Sequence, residues 1–185
     1  MPISTPLIDR LQGMNLYLIG MMGSGKSTLG KLLAEALHYQ FFDTDTLIEQ
    51  VTNQSIPRLF EQEGELAFRT LETQVLAQLC PYQRLVVATG GGIVTQQDNW
   101  SYLQQGLVIW LDVPLTHLYD RLCADSQCRP LLQTADPLAT LETLMELRFP
   151  LYSQADLQLA CHDPEENPAQ ILERLLQAIP SVLKS

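Results

Sequence analysis

Asn15-Leu16-Tyr17-Leu18-Ile19-Gly20-Met21-Met22-Gly23-Ser24-Gly25-Lys26-Ser27-Thr28 is the stretch that decides the fold. The apolar run Asn15–Ile19 predicts a short buried strand. Leu29, Leu32, Leu33 and Leu37 share one face of a helix predicted from about Lys26 to Leu37. Between the two, Gly20 to Ser27 satisfies G-x-x-x-x-G-K-[ST]. Glycines in such a turn let successive backbone N–H groups point into one concavity that suits phosphate oxygens, and the helix N-terminus adds partial positive charge. A lysine placed like Lys26 reaches β- and γ-phosphates, and the hydroxyl after it, Ser27, can ligate Mg²⁺. Gly23, Ser24, Gly25, Lys26, Ser27 and Thr28 are therefore the expected contacts to a nucleoside triphosphate. A chance glycine turn containing Lys-Ser would not explain why strand and helix stand in register on either side.

Outward from this loop, apolar runs alternate with helical patterns, which predicts an α/β domain around a parallel sheet. Further strands are expected at Tyr39–Asp43, Arg84–Thr89 and Leu107–Leu111. A helical pattern runs from Glu65 to Leu79, with Leu66, Phe68, Leu71, Val75, Leu76 and Leu79 at helical spacing. Ser55 with Pro57, Asp136-Pro137 and Asn167-Pro168 each read as an N-cap followed by an early helical proline. From Cys123 to Ala135 the pattern lapses into a polar stretch around Arg129-Pro130, expected to be a mobile lid. Residues 1–14 read as an N-terminal extension. Glycine-rich segments follow two strands, at Gly20 and at Gly90-Gly91-Gly92, and ligands bind at that edge of such sheets.

Composition narrows the function. The chain has 185 residues, enough for a single domain, and an apolar content of 46% that supports a real core. No apolar run reaches the roughly 18–20 residues of a membrane span. The first residues resemble no secretory or transit signal, so the expected address is the cytoplasm. Four cysteines without CxxC spacing read as reduced thiols. A net charge of −10 argues against nucleic acid or an anionic membrane as partner. It also means that the eleven Lys and Arg must be gathered locally if the ligand is an anion.

Candidates for the second half of the chemistry lie at the strand ends. Asp43-Thr44-Asp45 closes the second strand, and phosphoryl transfer needs one group that organises a cation and one that orients or deprotonates the attacking hydroxyl. The same pair could simply cap the next helix. Asp112, before Val113-Pro114, is a rival magnesium-site aspartate, with helix capping as its more ordinary role. The triple glycine at 90–92 allows backbone to approach a ligand closely. Arg69 and Arg148 sit among apolar neighbours, where guanidinium groups suit bidentate recognition of a carboxylate; each could equally be structural or solvated.

Taken together, the ordered set resembles the shikimate kinase family from about Asn15 to Ala178. The matching elements are the Gly-x-x-Gly-Ser-Gly-Lys-Ser loop, Asp43-Thr44-Asp45, Ser55-Ile56, Gly64-Glu65 with Phe68-Arg69 and Glu72, Gly90-Gly91-Gly92, Arg129-Pro130-Leu131-Leu132, Arg148 before Pro150-Leu151-Tyr152, and Asn167-Pro168. The resemblance implies a single domain over residues 1–185 with a P-loop NTPase-type three-layer fold and a central, mostly five-stranded parallel sheet. It implies transfer of the γ-phosphoryl of MgATP to the 3-hydroxyl of shikimate. Ser27 and Asp43 would organise Mg²⁺, Asp43 through water. Asp45 would bind the ring hydroxyls and activate the one attacked. Arg69 and Arg148 would clamp the carboxylate, with Gly90, Gly91 and Gly92 beside it and Glu72 holding Arg69 by an ion pair. Lys26, Asp45 and Arg129 would be the catalytic set, Arg129 reaching the ATP phosphates from the lid.

Two departures from the family pattern concern adenine. Where relatives often carry an arginine seven residues before the lid arginine, this chain has Leu122, with Arg121 one residue earlier; where some carry an arginine before Asn-Pro, it has Glu166. The expected partners are ATP and shikimate, with neither nucleic acid nor membrane, and a monomer. The alternatives are a kinase of another small acid such as gluconate, a nucleoside monophosphate kinase, or a non-catalytic kinase-like module. The last would tolerate loss of Lys26, Asp45 or Arg148, and all three are present.

Overall fold

The computed structural model describes residues 5–124 and 130–183. Five parallel strands form one sheet in the order β2-β3-β1-β4-β5, where β1 is Leu16–Ile19, β2 Gln40–Asp43, β3 Leu85–Ala88, β4 Leu107–Asp112 and β5 Leu157–Ala160. Helices flank it: α1 (Thr5–Leu11), α2 (Lys26–Leu37), α3 (Thr44–Thr52), α4 (Ile56–Leu79), α5 (Gln97–Leu103), α6 (Leu115–Ala124), α7 (Pro137–Tyr152) and α8 (Pro168–Val182). This is the expected P-loop NTPase-type architecture. β5 is the strand that the apolar runs did not single out. It is an edge strand on which only Leu159 is fully buried, so its four residues carry no continuous apolar signal.

Strand order and register place the site. β1 is central, and the chain crosses to β3 on one side and β4 on the other, leaving a crevice at the carboxyl ends of the strands. Asp43 lies level with Ala88, and Ala88 with Leu18. The ends of β2, β3 and β1 are therefore flush, and Asp43, Gly90 and Gly20 emerge at one edge. β1 and β3 are buried throughout, as expected of strands covered on both faces. Each fully buried Leu, Ile or Val there contributes about 1.5–3 kcal/mol.

Helix ends explain most of the remaining geometry. α8 begins with a reciprocal capping box between Asn167 and Gln170, and α7 with Asp136 accepting from the Ala139 N–H. Ser55 occupies the N-cap position of α4 but makes no side-chain cap; Glu49 Oε1 takes the Ile56 N–H instead at 2.9 Å. α4 is broken at Gly64, whose φ of 79° lies outside the helical region, so a fresh helical run starts at Glu65 as the sequence pattern indicates. α7 is anchored by Trp110 of β4, which stacks on Tyr152 at 5.8 Å and meets Phe149 edge-on at 5.3 Å. In α1, Leu7 and Leu11 join the core, and Arg10 donates to the carbonyls of Pro180 and Leu183. Asp112 ends β4 three residues ahead of α6 and is taken by Gln158 Nε2 at 2.8 Å and His162 Nε2 at 3.3 Å rather than serving as the expected helix cap.

Candidate active site

The loop after β1 wraps around Lys26. Its Nζ donates to the carbonyls of Gly20 and Met21, both at 2.8 Å, and to Ser24 Oγ at 3.2 Å, and the residue is only 8% exposed. The ammonium is thus held inside the loop, in a low-dielectric pocket where its charge acts strongly on a neighbouring phosphate. Gly25 takes the left-handed conformation, φ 93°, in the residue that opens α2, a turn that any other side chain would strain. A cavity of about 480 Å³ runs from this loop between Leu122, Cys161, Glu166, Pro168 and Ile171.

Asp43 divides its two oxygens. Oδ1 caps α3 by accepting from the N–H groups of Asp45 and Thr46, at 3.0 and 3.4 Å. Oδ2 receives the Ser27 hydroxyl at 2.5 Å. Capping and cation placement were competing readings of the Asp-Thr-Asp sequence, and the geometry accommodates both on one side chain. One hydroxyl and one carboxylate, both hard oxygen donors facing the phosphate loop, fit Mg²⁺, which keeps several waters and takes its remaining ligands from substrate phosphates. Among the described residues no group of three or more His, Cys, Asp or Glu could build a cage for a metal by itself.

Asp45, the second residue of α3, lines both the phosphate-loop cavity and a second, smaller one. The second cavity is lined by Arg69, Glu72, Arg148, Gly90, Gly91 and Gly92 along with Phe60 and Phe68. Arg69, Glu72 and Arg148, though charged, are 6%, 1% and 3% exposed. Arg69 Nη1 donates to Glu72 Oε2 at 2.5 Å and Arg69 Nη2 to Glu65 Oε1 at 2.8 Å. Burial works against the Arg69 charge, but Glu72 and Glu65 outweigh it and hold its pKa above the ordinary value. Burial pushes the Glu72 carboxyl up to about 7, with Arg69 opposing the rise and the charge of Asp45 adding to it. Arg148 contrasts with Arg69: its Nη1 is buried with no hydrogen-bond partner among the described residues, a costly arrangement unless an anion completes it.

The profile of the shikimate kinase family matches residues 22–180. The chain belongs to the shikimate kinase family. A shikimate kinase from a Nostoc species is 59% identical over 174 residues, covering 94% of this chain and 95% of that one. The structure of a shikimate kinase from Acinetobacter baumannii in complex with shikimate superposes with a TM-score of 0.86 at 40% identity, over 95% of this chain and 98% of that one. A gluconokinase from Sinorhizobium meliloti reaches a TM-score of 0.58 at 18% identity, covering 92% and 94%, a likeness of fold alone.

In this member of the shikimate kinase family the triple glycine is needed for space rather than for unusual dihedral angles. A Cβ on Gly90 would run into Glu72 Oε1 and Asp45 Oδ1, and one on Gly92 into the Arg69 guanidinium. Gly91 is fixed through its carbonyl, which accepts the Tyr152 hydroxyl at 2.6 Å, and burial pushes that phenol up to about 12. The Tyr152 contact escaped the sequence reading although Tyr152 follows Arg148 by one helical turn, so that both face the same side of α7. Glu65 as second holder of Arg69 was legible by the same rule. Arg121 Nη1 donates to the Gly23 carbonyl at 3.3 Å and lines the phosphate-loop cavity with Leu122. Glu166 is engaged by Arg174 of α8, at 2.6 Å to Nε and 2.7 Å to Nη2. Arg129 lies outside the described residues, as do residues 125–128 of the lid expected from Cys123 to Ala135.

Proposed function

We propose that the protein transfers the γ-phosphoryl group of MgATP to the 3-hydroxyl of shikimate, giving shikimate 3-phosphate and ADP on the route to chorismate and the aromatic amino acids. The observation that carries this reading is Arg148, a buried guanidinium with an unmatched N–H beside Arg69, in a cavity that Asp45 joins to the phosphate loop. A small acceptor bearing a carboxylate fits there: the carboxylate lies against Arg69 and Arg148, and its hydroxyl reaches Asp45.

Asp45 orients the hydroxyl and takes its proton as the oxygen attacks phosphorus. Lys26 exchanges loop carbonyls for phosphate oxygens and, with the amides of Gly23 to Thr28, stabilises charge on the transferring group. Ser27 Oγ and Asp43 would hold Mg²⁺. When bound, the ion neutralises charge on the β- and γ-phosphate oxygens. Arg129 meets the same phosphates from the lid, whose closure keeps water from the γ-phosphate. The backbone at Gly90–Gly92 flanks the acceptor. The protein acts as a monomer in the cytoplasm. Free thiols at Cys80, Cys123 and Cys161 suit that reducing compartment, and among the described residues no helix is long and apolar enough to cross a membrane.

ADP release measured with MgATP against shikimate, gluconate and a panel of nucleoside monophosphates tests the assignment. ADP is expected with shikimate alone. Faster turnover of gluconate or a monophosphate would overturn it.

A further inference from the structure

The acceptor cavity poses a problem of charge balance. Among the described residues its charged lining consists of two cations, Arg69 and Arg148, and two carboxylates, Asp45 and Glu72. An acceptor carboxylate entering this buried space adds a negative charge to a described lining whose two cations and two carboxylates already sum to zero. Glu72 is the group placed to absorb the excess. It is 1% exposed; Oε2 is bound by Arg69, whereas Oε1 is buried, turned toward Gly90, and has no hydrogen-bond partner among the described residues. A proton on Oε1 would displace no existing contact and would leave the Arg69 bond to Oε2 in place.

Resting on the acceptor assignment above, we propose that Glu72 takes up one proton from solvent when the acceptor carboxylate docks on Arg69 and Arg148, so that acceptor affinity and protonation of Glu72 are linked. Glu72 is a positioning residue in this scheme, acting through Arg69. Protonated, it leaves the Arg69 charge to the acceptor; ionised, it competes for that charge. The groups facing it are Asp45 from α3, Arg69 on its own helix with Glu65 on the far side of that guanidinium, and Arg148 and Tyr152 from α7. The Tyr152 phenol stays neutral across the range, its pKa being pushed up by burial to about 12.

The sign follows from linkage. The acceptor anion favours the protonated form, so the pKa of Glu72 is higher in the complex than in the free protein, where burial sets it at about 7. Below that value Glu72 is protonated in both states and binding takes up nothing. Through the interval above it, binding consumes protons and affinity falls as pH rises, about tenfold if docking moves the group by about one unit.

Isothermal titration of shikimate into the full chain at pH 7.5, in HEPES and in Tris, reads proton uptake from the dependence of the heat on buffer ionisation. A fractional uptake is expected in the wild type, none in Glu72→Gln, and none when the wild type binds the methyl ester of shikimate. The last arm does not depend on the variant folding. Equal heats in the two buffers, or uptake persisting in Glu72→Gln or with the ester, would overturn the linkage while leaving the acceptor assignment intact. Absence of shikimate binding at any pH would overturn both.

Discussion

The two ends of the cleft are built to different standards. At the acceptor end Arg69, Glu72 and Arg148 are 6%, 1% and 3% exposed, drawn from two helices and packed against a glycine backbone. At the base end Arg174 and Glu166 pair with side chains 43% and 12% exposed, and Arg121 makes one long bond of 3.3 Å to a loop carbonyl. The residues that depart from the family pattern, Leu122 and Glu166, both lie at this second end. A group that touches the reacting atoms must be held in transition-state geometry. A group that touches adenine contributes mainly affinity for a ligand bound equally well before and after transfer, and its position can be filled in several ways.

The sharpest way to break that contrast is Asp45→Asn, which keeps the shape of the side chain and removes its basicity. Turnover is expected to fall by about 10³–10⁴, at the upper end for a general base, while ATP affinity measured by titration stays within about twofold. Normal turnover would remove Asp45 from the chemistry. Next in size is Arg148→Met. Loss of a charge-assisted contact to a buried carboxylate costs about 2–5 kcal/mol, so kcat/KM for shikimate is expected to fall about thirtyfold or more with the KM for ATP unchanged. The free variant should melt no lower than the wild type, because Arg148 carries a buried, unmatched N–H. A lower melting temperature with equal losses for both substrates would make Arg148 structural.

Gly92→Ala comes third. A methyl group there overlaps the Arg69 guanidinium, and overpacking of this kind costs about 1–3 kcal/mol. Stability to urea should drop by that amount, with a rise in the KM for shikimate as Arg69 is pushed from Glu72. Gly64→Ala serves as its counterpart. Nothing lies within 4 Å of a Cβ at that position, so only the strain of its backbone conformation, φ 79° and ψ 173°, is expected, about 1–3 kcal/mol, with no change in either KM.

How much of this could be read from the sequence depended on how local each feature is. The phosphate loop is contiguous, and strand, turn and helix each announce themselves within Asn15–Leu37. Asp43 and Asp45 were visible as a pair, but not that Asp43 serves capping and Ser27 at once, since that depends on β2 and β1 ending level. Arg69 and Arg148 lie 79 positions apart, and neither neighbourhood reveals that both guanidinium groups are buried in one cavity; the resemblance to the family suggested it, and packing of α4 and α7 around Gly90–Gly92 brings it about. The base end was least legible, because the partner of Glu166 is an arginine two turns into α8 that no motif marks.

The smallest expected effect is therefore also the most direct test of the contrast. Arg174→Ala breaks the ion pair with Glu166 and the bond to the Ala160 carbonyl. Exposed pairs contribute about 0–1 kcal/mol, so the KM for ATP should change less than about threefold, kcat should not change, and the melting temperature should move by no more than a few degrees. Glu166 lines the phosphate-loop cavity and would then be free to turn toward solvent. A tenfold rise in the KM for ATP would show that the pair positions the base as firmly as Glu72 positions Arg69, and the difference between the two ends would be one of exposure alone.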